Sequence, residues 1–87
     1  MKYMMTWSFA PEKFDAVKKR FGENAEPMDG ITQISRWHEV GTGRGFRVIE
    51  TDDPVALTKL NIYWSDLLVL KTVPVVDDEA AAKALFS

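Results

Sequence analysis

Eighty-seven residues suit one domain, residues 1–87, near the lower end of the size at which a chain can bury a core of its own. A hydrophobic fraction of 46% beside 28% charged residues and a formal net charge of -2 describes a folding chain, with no excess of lysine and arginine for nucleic-acid phosphates or an anionic membrane. Cysteine is absent, which excludes disulfides, thiolate metal sites and thiol nucleophiles.

The opening Met1 to Trp7 turns polar too soon for a signal peptide or a membrane span, so a cytoplasmic protein is expected. From Lys2 to Phe9 the residues alternate, with Tyr3, Met5, Trp7 and Phe9 on one face, as in a strand. Pro11 then opens a helix in which Phe14, Val17 and Phe21 form an apolar stripe, and Gly22 is expected to close it. Asn24 to Gly30, with Pro27, Asp29 and Gly30, reads as a loop.

Ile31 to Val40 is rich in β-branched and aromatic residues and predicts a second strand. Gly41 to Gly45 turns the chain into a third strand over Phe46 to Thr51. Asp52-Asp53-Pro54 is a capped helix start followed by an apolar stripe of Ala56, Leu57, Leu60, Tyr63 and Trp64. Leu67 to Val76 makes the last strand, where Pro74 is tolerable at an edge. Asp77 or Asp78 then caps a short helix with Ala80, Ala81, Ala82 and Leu85.

The order is βαββαβ with a helical tail, an α+β ferredoxin-like fold. Its four-stranded antiparallel sheet has strands one and three at the centre and both main helices on one face. Met4, and the apolar residues on both sides of the last strand, leave the other face short of cover. A second copy of the chain is the expected partner, giving a homodimer through that face.

Strand directions bring Trp7, Trp37, His38, Arg47, Tyr63 and Trp64 to one end of the sheet. Aromatic walls with a few polar groups are the usual lining of a small-molecule pocket, although large aromatics also fill the cores of small domains. If Val40 pairs with Gly45, His38 stands opposite Arg47, with Arg36 on the same face. An imidazole flanked by two guanidiniums could bind an anion and remove a proton from it, making His38 the candidate catalytic residue. Glu50 is expected on the opposite face near Trp37 and Ser35, as a base or as an acceptor for the indole. Asp52, Asp53, Asp77 and Asp78 each precede a helical pattern and read as caps, so no metal ligand set is expected.

The glycine-rich turn lacks the lysine of a phosphate-binding loop, and no nucleotide cofactor is expected. Arg44-Gly45-Phe46 starts like the third-strand motif of an RNA-recognition domain. Arg47 and Val48 then replace a small residue and the second stacking aromatic, so nucleic acid is not the expected partner.

Trp37-His38-Glu39-Val40-Gly41, Arg44-Gly45-Phe46, Glu50 to Pro54 and Thr72 to Asp78 resemble the family catalogued as domain of unknown function 3303, over nearly the whole chain. The resemblance implies membership of the dimeric α/β-barrel superfamily, in which two ferredoxin-like subunits bring their sheets together. Relatives there include cofactor-free oxygenases, haem-degrading enzymes and isomerases, and fold alone does not choose among them. The haem-degrading members use a helical histidine, whereas His38 falls near a strand end, so haem is not expected. The resulting expectation is a small dimeric enzyme or binder of an aromatic or anionic metabolite, using Trp7, Arg36, Trp37, Arg47, Glu50, Tyr63 and Trp64. The alternative is a non-catalytic ligand-binding or protein-interaction module.

Overall fold

The computed structural model describes residues Met1–Ser87. The elements are β1 (Lys2–Ser8), a 3-10 turn (Pro11–Lys13) running into α1 (Phe14–Glu23), β2 (Thr32–His38), β3 (Arg44–Glu50), α2 (Pro54–Trp64), β4 (Val69–Val75) and α3 (Asp78–Phe86). The sheet order is β2-β3-β1-β4, all neighbours antiparallel. This is the ferredoxin-like arrangement that the alternation and capping patterns predict. Pro74 sits in β4, an edge strand paired only with β1, where its missing N–H costs no ladder bond on the open side. No helix is long and apolar enough to cross a membrane.

One helix boundary differs from expectation, while the caps of the other two helices fall where the sequence places them. Gly22 lies inside α1, and Asn24 closes the helix instead, in the left-handed region at φ 51°. Asparagine tolerates that region because its short side chain crowds the backbone little. At the second helix Asp53 accepts from the N–H groups of Val55 (2.9 Å) and Ala56 (3.2 Å), while Asp77 caps α3 by accepting from Ala80 (2.9 Å). Asp53→Ala should therefore lower stability by about 1 kcal/mol. Chemical denaturation checks this, and an unchanged midpoint would count against the cap.

The β2–β3 hairpin closes one step earlier than the glycine pattern suggests. Its loop is Val40 to Gly43, since Glu39 N–H donates to the Arg44 carbonyl (2.9 Å) and the Arg44 guanidinium pairs with the Glu39 carboxylate (3.1 Å). Pairing consequently slips by two residues: His38 lies opposite Gly45, and Arg36 opposite Arg47. A slip of two preserves which face each side chain occupies, because the strand period is two. At the far end of β2, Ile34 is the extra residue of a bulge between Gln33 and Ser35.

Met5 of β1, Ile49 of β3, and Leu60 and Trp64 of α2 make the core, with Met5, Ile49 and Leu60 almost wholly removed from water. Each such side chain contributes about 1.5–3 kcal/mol. Ala56, Leu60 and Trp64 recur every four residues, so α2 seats firmly on the sheet. Thr51, also buried, donates to the Gly30 carbonyl (2.7 Å) and accepts from Asp53 N–H (3.0 Å), tying the loop before β2 to the start of α2. By contrast α1 buries none of its residues.

Candidate functional site

None of the residues of α1 is fully buried, and its apolar stripe, with Val17 packed against the core, lines a cavity. Phe14, Val17 and Phe21 form the roof, Met5 and Trp7 of β1 and Leu70 of β4 the floor, and Trp64 closes one end. The cavity measures about 440 Å³, within the range of small-molecule sites. Lys18, Arg36, Arg44 and Arg47 also line it, and no acidic side chain does.

The floor depends on a glycine. Trp7 lies opposite Gly45 across the β1–β3 ladder, and its indole covers the space a side chain would take. A Cβ at Gly45 would meet the Trp7 ring, including Cε2 at 2.7 Å, and the Trp37 carbonyl oxygen at 2.7 Å. The indole in turn holds His38 edge-on, with ring centroids 5.5 Å apart, while Phe21 of the roof approaches the same imidazole at 5.7 Å. His38 is exposed overall and lies between two aromatic edges at the cavity wall.

Behind the cavity, Glu26 organises the polar groups. Its Oε1 accepts from Arg36 Nη1 (2.8 Å), and its Oε2 accepts from Arg47 Nη1 (2.7 Å) and the Trp64 indole N–H (2.8 Å). Burial pushes the Glu26 carboxyl up, but the hydrogen bonds from Arg47 and Trp64, the Arg47 charge and the Arg36 hydrogen bond outweigh it and hold the group below its ordinary value. For Arg47, burial is the larger influence and pulls its pKa down against the pull of Glu26. The two directions agree on one state, since a guanidinium starts so high that it stays charged. Arg47 is only 3% exposed; its Nη2 lies 3.4 Å from the Met28 sulfur, and no protein group accepts from Nε.

Five of the residues expected at a site meet at this cavity: Trp7, Arg36, His38, Arg47 and Trp64. The expected opposition of His38 to Arg47 is replaced by that of Arg36 to Arg47, since the hairpin closes on the backbone hydrogen bond from Glu39 N–H to the Arg44 carbonyl. Trp37 projects from the other face, opposite Phe46, and is 60% exposed. Tyr63 packs edge-on against Trp64 (5.3 Å) beneath the Arg20 guanidinium, outside the cavity. Arg20 itself is held by Asp66 (2.5 Å) and the Tyr63 carbonyl (2.8 Å), linking α1 to the end of α2. Glu50 is exposed at the far end of β3, opposite Lys2 and Thr32, and is no neighbour of Trp37. No three His, Asp or Glu side chains gather in a way that could hold a metal ion.

Glu26 is the residue that sequence reasoning missed. It stands in an irregular loop, and the one available signal is indirect: Arg36 and Arg47 share a strand face beside a core, and a buried guanidinium requires a counter-charge. Phe14 and Phe21 were legible as a stripe but not as a cavity roof.

Among known proteins, no curated sequence matches this chain. A solved structure, described as that of Rv0793 from Mycobacterium tuberculosis, is similar with a TM-score of 0.52 at 11% identity, covering 88% of this chain and 95% of that one. At that identity the likeness is one of fold, and it agrees with the ferredoxin-like sheet and helix order described above. The family profile of domain of unknown function 3303 (DUF3303) matches residues 1–87, and the chain, matched along its full length, belongs to that family.

Proposed function

We propose that this protein binds a small aromatic or anionic metabolite in the cavity between α1 and the sheet, and that His38 transfers a proton there. The carrying observation is the cavity itself, which has aromatic walls, four cationic liners, no acidic liner and an imidazole. A ligand site needs such convergent polar groups, whereas a protein-interaction module would leave this end of the sheet filled. Thermal-shift screening of small aromatic and anionic compounds tests the reading, because a ligand of the native state raises its apparent stability. A panel without a single stabilising compound would overturn it.

The protein works as a homodimer in this reading, joined through the sheet face opposite the helices. That face carries Trp37 (60% exposed), Phe46 (39%) and Val69 (74%), flanked by the half-buried Met4, Val48 and Val73. Only eight residues of the chain are buried, so covering this face would add substantially to a small core. Sedimentation at micromolar concentration is expected to give about twice the 9.9 kDa chain mass. A species of single-chain mass alone would count against the dimer.

A further inference from the structure

We propose that the cavity takes an aromatic carboxylate whose carboxylate group is bound by Arg36, with its ring lying toward β1 and β4. This rests on the reading of the cavity as a small-molecule site and adds to it a ligand class, an orientation and an anchoring residue.

Sheet order lays the floor out as a gradient. Arg36 and His38 come from β2 and Arg47 from β3, while Met5 of β1 and Leu70 of β4 lie on the other side and the Trp7 indole reaches from β1 over Gly45 to His38 between them. One side is therefore cationic and the other apolar. A ligand with a charged head and an apolar body satisfies both only in one orientation. The aromatic edges of Trp7, Phe14, Phe21 and Trp64 around this space favour a planar ring, through offset and edge contacts beyond simple area burial.

The two interior arginines are not equivalent. Arg47 is 3% exposed, with Nη1 committed to Glu26 and Nη2 set against the Met28 sulfur, so it supports the site from beneath. Arg36 gives Glu26 only its Nη1, which leaves N–H donors on a more accessible guanidinium. The Phe21 ring of the roof lies 5.1 Å from that guanidinium, in cation–π range, and a carboxylate pairs with two parallel donors of such a fork. The pair Arg36 and Arg47 shares one carboxylate, that of Glu26, so this pair keeps one positive charge for a ligand carboxylate, and the exposed Lys18 of α1 adds a second cation at the cavity wall. Arg44 has its own counter-charge in Glu39.

Calorimetric titration of the wild type with 1-naphthoate, 1-naphthamide and octanoate tests the assignment. The naphthoate should bind at least about tenfold tighter than the neutral amide or the aliphatic acid, as expected when a charge-assisted hydrogen bond is lost. Arg36→Gln should erase the preference for naphthoate over naphthamide while leaving amide binding within about twofold. Arg36→Lys should restore part of that preference. If the glutamine variant does not fold, the wild-type comparison and the lysine variant decide. A preference retained in Arg36→Gln would overturn the anchoring role. Equal binding of naphthamide and naphthoate by the wild type would overturn the anionic class while leaving the cavity reading standing, and equal binding of octanoate would overturn the aromatic class. If none of the three binds the wild type, the aromatic-carboxylate assignment falls, whereas the cavity reading falls only if the thermal-shift panel also gives no stabilising compound.

Discussion

Replacing Glu26 with leucine should destabilise the protein by about 3–5 kcal/mol, the cost of removing one partner from a buried ion pair. The carboxylate accepts from Arg36, Arg47 and Trp64 at 2.7–2.8 Å, and without it the buried Arg47 keeps its charge with no carboxylate to oppose it. Glu26→Gln retains an acceptor and should lose less. The same pair of proteins gives a pH signature. Since the folded state holds the Glu26 carboxyl below its ordinary value of about 4.5, folding favours the ionised form. Its contribution is fully present above that ordinary value and is lost as pH falls through the lower folded value. Wild type should therefore lose stability below about pH 4.5 more steeply than Glu26→Gln. Subtracting one curve from the other removes the other acids, including Asp52 and Asp66, which are also held low by Met1 and Arg20 respectively. Parallel curves for the two proteins would refute the role given to Glu26.

Gly45→Ala should cost about 1–3 kcal/mol and disturb the cavity floor together with it. The added methyl meets the Trp7 indole and, at 2.7 Å, the Trp37 carbonyl oxygen. Turning the indole relieves only the first contact, because the second is backbone in the neighbouring strand. β3 is hydrogen-bonded on both sides and cannot move away from one partner without straining the other. Trp7 would be displaced from beside His38, so the loss of stability should come with a change in tryptophan emission and weaker binding of any compound found by screening. An unfolding midpoint and an emission spectrum both equal to those of the wild type would show that Gly45 is not needed for seating Trp7.

The element order was legible because each segment carries its own period or punctuation. Tyr3, Met5 and Trp7 alternate, Ala56, Leu60 and Trp64 recur every four residues, and Asp53-Pro54 marks a helix start whatever surrounds it. The grouping of Arg36, His38 and Arg47 on one strand face was equally legible and survives the earlier hairpin closure, but only the tertiary structure turns that face toward the helices. Register itself was not legible, since Gly41, Gly43 and Gly45 allow several turns, of which the structure adopts the one closing on Glu39 and Arg44. Glu26 was hidden for a related reason: its three partners stand 10, 21 and 38 residues away, and no local pattern encodes a contact between a loop and two strands. The stripe of Phe14, Val17 and Phe21 reads the same whether a helix rests on its sheet or stands clear of it. Only the tertiary structure decides between core and cavity, because that choice depends on what holds the helix ends. Here Arg20 near the end of α1 binds Asp66 and the Tyr63 carbonyl at the end of α2, and Glu26, just beyond α1, binds the sheet.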